Sequence, residues 1–256
     1  FPSVGATGNL AMAAVTADGT TILDNAACEP EITQLCEYLN LMGANISGIG
    51  TNRLVIQGVD ELQEADIDVI PDRIEAGTFL AAGALLGEIT LNNVNPGHLY
   101  TVIEKFKEAG CNIHTSSDSI TISKAKLINS VDMTTAVYPG FPTDLQAQIM
   151  VLMTKANGVS IIKENIFENR FMHISELRRM GANIKINGKK AKIFGETRLN
   201  GAELMATDLR ASVSLVLAGL VASNKTVVNR IYHLDRGYEK IESKLSKCKA
   251  LIKRIN

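Results

Sequence analysis

Residues 181–184 read Gly-Ala-Asn-Ile, and variants of this tetrapeptide recur at 43–46, 110–113 and 249–252. The first three copies along the chain begin with glycine, and the last begins with lysine. Successive copies are 67, 71 and 68 residues apart. A period of this length predicts a chain built from repeated units, each of which needs its neighbours to bury its apolar surface.

Each repeat is predicted to begin with an apolar helix. The runs 146–153 and 211–222 are almost wholly apolar, which is typical of a helix that is buried on most sides. The second run is too short to cross a bilayer. A Pro or Thr marks each helix start at intervals of about 68 residues. These markers are Pro2, Pro71, Pro139 and Thr207.

A strand and a second helix are predicted to follow in each copy. The glycine of the tetrapeptide takes the left-handed position that ends the second helix, and further strands, such as 54–56 and 120–122, close the unit. β-branched runs indicate the first strands at 20–23, 88–91, 159–162 and 226–228. Apolar stripes of the second helices are clearest at Ile32, Leu35, Leu39 and Met42, and at Ile174, Leu177 and Met180.

The order helix, strand, helix, strands predicts a pseudo-symmetric α/β assembly with helices inside and sheets outside. A dinucleotide-binding sheet is not indicated, because no Gly-x-Gly-x-x-Gly motif follows a predicted strand.

The composition narrows the class of protein. Apolar residues make up 46% of the chain and charged residues 21%, as in soluble globular proteins. With 26 basic and 27 acidic side chains, nothing favours a nucleic-acid partner. The four cysteines lack CxxC pairing, and the four histidines lack metal-ligand spacing. We therefore predict a cytoplasmic protein with free thiols, surface or capping histidines, no metal site and no membrane span.

Longer motifs resemble the UDP-N-acetylglucosamine enolpyruvyl transferases over essentially the whole chain. Gly-Phe-Pro-Thr-Asp at 140–144 and Ala-Thr-Asp-Leu-Arg-Ala at 206–211 separate this family from the related shikimate-pathway enolpyruvyl transferases. The matching stretches are 2–7, 29–31, 70–78, 138–148, 167–173, 205–211 and 232–239.

The resemblance implies an inside-out α/β barrel of repeated units, three in each of two domains, with the active site in the cleft between the domains. Residues 1–70 are then expected to form the last unit of an incomplete first domain, and 71–256 a complete second domain. The chain begins at Phe1 without Met and enters a motif at once. Since the family has six units and this sequence supplies four, the resemblance implies that two further units of the same enzyme precede it.

The resemblance implies a sugar-nucleotide site that includes Ser3, Val4 and Gly5. Free backbone N–H groups at a helix start can hold a diphosphate, although Ser3 or Thr7 would also make an ordinary N-cap. Ile166 and Phe167 are expected to border the sugar nucleotide. For Phe167, ordinary packing is the alternative.

Asp144 is the candidate catalytic residue, because the family places a carboxylate there against the sugar 3-hydroxyl. Such a carboxylate can act as general base when that hydroxyl attacks C2 of phosphoenolpyruvate. Asp72 and Asp208 occupy matching places in their own units, which also predicts a shared structural role at helix starts.

An arginine cluster is expected to bind phosphoenolpyruvate. Exposed arginines are usually solvated, but several at one site can bind an anion through forked hydrogen bonds. The resemblance assigns Arg236, Arg170, Arg210 and Asp208 to phosphoenolpyruvate, with Arg73 as a further contact.

The activity implied is transfer of enolpyruvyl from phosphoenolpyruvate to the 3-hydroxyl of UDP-N-acetylglucosamine, which releases phosphate without a cofactor and commits sugar nucleotide to peptidoglycan. The family's acid-bearing loop, with Cys or Asp, belongs to the units outside this chain, so the chain alone is expected to be inactive. Two alternatives stay open: a shikimate-type enolpyruvyl transferase and a non-catalytic sugar-nucleotide-binding module.

Overall fold

The computed structural model describes residues 2–255, which divide into two compact units. Unit 1 holds the residues up to Pro71 together with Val137–Gly140. Unit 2 holds Asp72–Ala136 and the chain from Phe141 onward. The identification of unit 1 as the last third of an incomplete domain, and of 71–256 as a complete one, stays a prediction.

Unit 1 contains the first copy of the repeat. Its apolar core is formed by α1, α2 and one sheet, and includes Ala11, Cys36, Leu54 and Ile56, all of which are at most 1% exposed. The sheet is antiparallel with strand order β1-β3-β2. The elements are α1 (Val4–Ala14), β1 (Thr20–Asp24), α2 (Pro30–Leu41), β2 (Asn45–Ser47) and β3 (Arg53–Gln57).

Unit 2 contains the other three copies. Its helices are α3 (Arg73–Leu86), α4 (Tyr100–Glu108), α5 (Gln146–Met153), α6 (His173–Arg179), α7 (Leu209–Leu220) and α8 (Ile241–Lys247). Its strands are β4 (Glu88–Asn92), β5 (Asn112–Thr115), β6 (Ser119–Ser123), β7 (Met133–Thr134), β8 (Val159–Lys163), β9 (Asn183–Asn187), β10 (Lys190–Phe194), β11 (Glu203–Met205) and β12 (Val227–Asn229).

The centre of unit 2 is a group of three apolar helices. One helix comes from each repeat, and α3, α5 and α7 all pack against one another. Every residue of α5 is buried, as are eight consecutive residues of α7 from Ala211 to Ala218. The sheets lie outside these helices, with orders β4-β6-β5, β7-β8-β10-β9 and β11-β12. The prediction of helices inside and sheets outside is confirmed.

The recurring tetrapeptide ends the second helix of each copy in the same way. Gly43, Gly110 and Gly181 have φ of 100°, 91° and 96°, as the pattern predicts. Lys249 takes their place in the fourth copy with φ of 66°. In all four copies the next residue donates its N–H to the carbonyl five residues before it, which satisfies a carbonyl at the helix end.

The predicted helix starts are close in three copies and wrong in one. α1, α3 and α7 begin two residues after Pro2, Pro71 and Thr207. Pro139 does not mark a helix, because it precedes a 3₁₀ turn, Thr143–Leu145, and α5 begins only at Gln146. The residue before that turn is Pro142, whose side chain cannot cap a helix.

The fourth copy departs from the pattern. After β12 come a 3₁₀ turn, Ile231–Arg236, and α8, and no strand follows in 249–255. The prediction that further strands close every copy is therefore wrong here. β12 pairs in parallel with β11 instead. Within 2–255, no helix is long and apolar enough to span a membrane.

Candidate active site

Asp144 lies at the centre of an ion-paired cluster in unit 2. Its Oδ1 accepts a hydrogen bond from Arg170 at 2.6 Å, and its Oδ2 accepts one from Arg210 at 3.0 Å. The carboxylate comes from the 3₁₀ turn before α5, Arg170 precedes α6, and Arg210 is in the first turn of α7. The structure therefore brings together three of the predicted site residues from separate segments of the chain.

The arginines hold the Asp144 carboxylate in its charged form. Burial acts to raise the pKa of Asp144, but the positive charges of Arg210, Arg170 and Arg73 outweigh it and leave the pKa below its usual range. Asp144 is therefore ionised at neutral pH. It can accept a proton once the surrounding positive charge is reduced.

Two of the three aspartates predicted to lie at helix starts cap a helix, and the third does not. Asp72 caps α3 by accepting from the N–H groups of Ile74 and Glu75. Asp208 caps α7 in the same way, through the N–H groups that follow it. Asp144 caps nothing, because its two oxygens bind arginine side chains. The shared structural role is confirmed for two copies and wrong for the third.

A buried network of polar side chains connects Arg210 and the backbone of Asp144 to the central helices. The Tyr238 hydroxyl contacts Arg210 and lies 2.8 Å from Thr78 Oγ1 on α3. Gln148 on α5 donates both to Thr78 Oγ1 at 3.1 Å and to the backbone carbonyl of Asp144 at 3.0 Å. Burial raises the pKa of Tyr238, so its hydroxyl stays protonated. All three central helices are thereby linked to the carboxylate.

Sequence reasoning missed Tyr238, Thr78 and Gln148 as parts of the site. Each lies inside a motif that carried the resemblance, at 232–239, 70–78 and 138–148. Thr78 and Gln148 are polar side chains on mostly apolar helices. A polar side chain in a helix that is predicted to be buried needs a hydrogen-bond partner. Such residues in the apolar helices could therefore have indicated a polar network.

The other residues predicted to contact phosphoenolpyruvate are Arg236, Arg73 and Asp208. Arg236 is exposed at the end of the turn before Gly237, and no ion pair with it occurs in residues 2–255. Arg73, at the start of α3, acts on Asp144 through its charge. Asp208 already uses one oxygen to cap α7. The roles of Arg236 and Asp208 in binding stay predictions.

Ile166 and Phe167 lie on the loop after β8. Ile166 is half-buried, whereas Phe167 is 48% exposed and so is not part of the core. The expectation that both residues border the sugar nucleotide stays a prediction, as does ordinary packing for Phe167. The Arg170 guanidinium lies 4.8 Å from the centre of the Phe167 ring. This cation–π contact places an aromatic surface beside the ion-paired cluster.

The first residues of unit 1 make the predicted helix start. Ser3 is the N-cap of α1 and accepts a hydrogen bond from the N–H of Ala6 at 3.2 Å. Val4 and Gly5 are exposed, and no atom lies within 4 Å of where a Gly5 Cβ would be. Thr7 has another role, because its hydroxyl accepts from Ala27 N. A contact of Ser3, Val4 and Gly5 with a diphosphate stays a prediction.

His173 contradicts the expectation of surface or capping histidines. It is 2% exposed at the start of α6, and its Nε2 has no hydrogen-bond partner. Burial lowers the pKa of His173 to about 4. The charge of Asp208 opposes this effect, and the charge of Arg170 adds to it. The ring is therefore neutral at pH 7.

Stability is expected to fall in mild acid because of His173. The unfolded chain binds a proton below about pH 6.5, whereas the folded ring does so only near pH 4. Unfolding is therefore favoured as pH falls through this window, by about 2 kcal/mol at pH 5. Thermal melts of wild type and His173→Gln at pH 7.5 and 5 test this. The loss of melting temperature on acidification should be smaller in the variant, and exposed His114→Gln should behave as wild type. Equal losses in all three would contradict the assignment.

Comparisons with known proteins show the family of this chain. The family model described as EPSP synthase (3-phosphoshikimate 1-carboxyvinyltransferase) matches residues 1–245. A UDP-N-acetylglucosamine 1-carboxyvinyltransferase of Desulfosudis oleivorans is 54% identical over 255 residues, which are 99% of this chain and 61% of that protein. One of Bdellovibrio bacteriovorus is 56% identical over 99% of this chain and 62% of its own length. The chain thus spans about three fifths of the curated relatives that it matches.

Solved structures give the same fold. The enolpyruvyl transferase NikO from Streptomyces tendae matches with a TM-score of 0.89 and 28% identity over 96% of this chain and 59% of its own. EPSP synthase from Acinetobacter baumannii matches with a TM-score of 0.75 and 20% identity over 100% of this chain and 62% of its own, which supports the fold alone. By its sequence match and its fold, the chain belongs to the EPSP synthase family.

Proposed function

We propose that this chain is part of an enzyme that transfers the enolpyruvyl group of phosphoenolpyruvate to the 3-hydroxyl of UDP-N-acetylglucosamine and releases phosphate. The observation that carries the proposal is the Asp144 carboxylate held between Arg170 and Arg210. A carboxylate and two guanidinium groups are what this reaction needs, since it removes a proton from a hydroxyl and binds a small trianionic substrate.

The anionic substrate would change the state of Asp144. Phosphoenolpyruvate competes with Asp144 for the Arg170 and Arg210 donors, and its negative charge opposes the field that keeps the pKa of Asp144 low. Substrate binding therefore makes Asp144 a stronger base at the moment it is needed. The exposed Arg236 is a further candidate donor to the phosphate or carboxylate.

The chemistry has two steps. In the addition, the 3-hydroxyl oxygen bonds to C2 of phosphoenolpyruvate, Asp144 accepts the hydroxyl proton, and a proton is added at C3 by an acid outside this chain. In the elimination, C3 loses a proton, the bond from C2 to the phosphate oxygen breaks, and the double bond re-forms. Arg170 and Arg210 stabilise the negative charge throughout. This mechanism requires no cofactor.

The sugar-nucleotide acceptor is favoured over shikimate 3-phosphate. Relatives named for the UDP-sugar reaction are 54–56% identical to this chain, whereas EPSP synthase structures are 20% identical. Ser3, Val4, Gly5 and Ile166 are the proposed contacts with the UDP sugar. We place the reaction in the cytoplasm, where the four free thiols of this chain would stay reduced.

A substrate comparison tests the proposal. The full-length protein is incubated with phosphoenolpyruvate and either UDP-N-acetylglucosamine or shikimate 3-phosphate, and phosphate release and product mass are followed. Phosphate release and an enolpyruvyl product that depend on the UDP sugar would support it. Turnover only with shikimate 3-phosphate would support the alternative enzyme. Binding of the UDP sugar without turnover would support the non-catalytic module.

The 256-residue chain by itself is expected to give no turnover in the same assay. The resemblance to the family puts the acid that protonates C3 on a loop, and none of Cys28, Cys36, Cys111 and Cys248 falls at the position of that loop. Phosphate release by this chain at the rate of the full-length protein would show that the acid lies within it.

A further inference from the structure

The loop after β8 breaks the repeat pattern at Glu164. In the first two copies an asparagine with left-handed backbone follows the first strand, namely Asn25 with φ of 60° and Asn93 with φ of 56°. The next residue then donates its N–H to the carbonyl just before β3 or β6. In the third copy no left-handed residue intervenes, and Glu164 itself donates to the corresponding carbonyl, that of Lys189, at 2.8 Å.

The side chain of Glu164 is turned into the protein. The residue is 2% exposed, and no lysine or arginine in residues 2–255 forms an ion pair with it. A buried carboxylate without a cation is costly unless hydrogen bonds satisfy it. This costly buried carboxylate lies in the same copy of the repeat as Asp144, so it is a candidate for a functional role.

Four hydrogen bonds satisfy the Glu164 carboxylate. Oε1 accepts from Thr135 Oγ1 at 2.8 Å and from the N–H groups of Ile166 at 2.8 Å and Phe167 at 3.1 Å. Oε2 accepts from Thr143 Oγ1 at 2.9 Å. Thr135 Oγ1 in turn accepts from Asn165 N at 2.9 Å.

These bonds join two segments that carry the proposed chemistry. Thr143 is the residue immediately before Asp144, and Ile166 and Phe167 are on the loop proposed to border the sugar. One carboxylate therefore fixes the base-bearing turn relative to the sugar-binding loop. We propose that Glu164 is a positioning residue, which sets the distance between Asp144 and the acceptor sugar. This inference rests on the proposed function for the role of Asp144 and for the sugar, whereas the coupling of the two segments by Glu164 does not.

The first test is hydrogen exchange in the full-length protein without substrate. In Glu164→Ala, the amides of 165–167 and of 143–145 are both expected to exchange about tenfold faster or more, because both segments lose the same partner. Glu164→Gln keeps the size and one carbonyl acceptor, and its amide can donate to Thr143, so it should recover most of the protection. Glu176→Gln is the matched control, since Glu176 also accepts a backbone N–H, that of Met205 at 2.9 Å.

The second test is the steady-state rate of the same variants. Misplacement of a catalytic group by about 1 Å lowers the reaction rate by about 100-fold. In Glu164→Ala, kcat/KM for the UDP sugar should therefore fall by about this factor, and kcat should fall as well. Glu176→Gln should stay near wild type. If wild type itself is inactive, the proposed function fails, and the exchange data still decide whether Glu164 couples the two segments.

Two results would overturn the inference. The first is a Glu164→Ala variant in which the amides of 165–167 exchange faster while those of 143–145 exchange as in wild type. The carboxylate would then not couple the two segments. The other is faster exchange in both segments with kcat/KM no lower than in Glu176→Gln, which would leave a purely structural role. If Glu164→Ala does not fold, Thr143→Val removes only the Oε2 bond and should speed exchange at 143–145, whereas Thr143→Ser should restore it.

Discussion

Replacement of Asp144 by asparagine in the full-length protein is expected to lower kcat for enolpyruvyl transfer by about 10²–10⁴-fold. This is the range that a positioned general base contributes. Asparagine keeps the size of the side chain and still accepts a hydrogen bond, but it cannot take the hydroxyl proton. The measurement is the steady-state rate of phosphate release, with the Kd for UDP-N-acetylglucosamine from calorimetry. We expect the Kd to change much less than kcat.

Asp132→Asn is the matched control. Asp132 is another aspartate of unit 2; it accepts the backbone N–H of Ile161 at 2.7 Å and is exposed. Its variant should keep wild-type kcat. A melting temperature of Asp144→Asn close to wild type would show that the fold is intact, so that the rate loss reflects chemistry. A kcat within a few-fold of wild type would remove Asp144 from the role of base.

Replacement of Gly195 by alanine is expected to destabilise unit 2 by about 3 kcal/mol, which lowers the melting temperature by about 6–12 °C. A Cβ at Gly195 would lie 1.8 Å from the carbonyl oxygen of Ala156 and 2.8 Å from its carbon. Backbone atoms cannot rotate away as a side chain can. The strand end after β10 would have to move, and it would lose the hydrogen bond from Gly195 N to Gly158 O.

The first repeat provides a duplicate of this test. Gly58 follows β3 as Gly195 follows β10, and a Cβ there would lie 1.6 Å from the carbonyl oxygen of Ala17. Gly58→Ala should therefore destabilise unit 1 in the same way. Gly5→Ala is the control, because its Cβ would meet nothing within 4 Å in a helix. Differential scanning calorimetry measures all three. A normal melting temperature for Gly195→Ala would contradict the close approach.

Local patterns in the sequence predicted most of the repeat. The apolar runs, the β-branched strands and the left-handed glycines each depend on a few neighbouring residues, and the structure has all of them. The closing strands of the fourth copy and the start of α5 were predicted wrongly. The pairing of β12 with β11 depends on what lies near in space, and Pro142 cannot cap a helix. The motif Gly-Phe-Pro-Thr-Asp also does not show that the Asp144 carboxylate binds Arg170 and Arg210, since both arginines come from other segments of the chain.

The site was predicted in part for the same reason. Asp144, Arg170 and Arg210 were found through motifs, and they do meet. Glu164 was missed, although the asparagine that follows the first strand in the first two copies is absent before it. The burial of His173 was also missed, since a histidine at a helix start looks the same in sequence whether it is covered or exposed.

The repeat provides an internal comparison for Asp144. An aspartate lies near the start of a central helix in three copies, and two of these aspartates accept the first N–H groups of their helices. The helix that follows Asp144 begins without a side-chain cap, and the Asp144 carboxylate binds two arginines instead. Asp72 and Asp208 are therefore reference positions within the same molecule, against which the effect of arginine partners on a carboxylate at this place in the repeat can be measured.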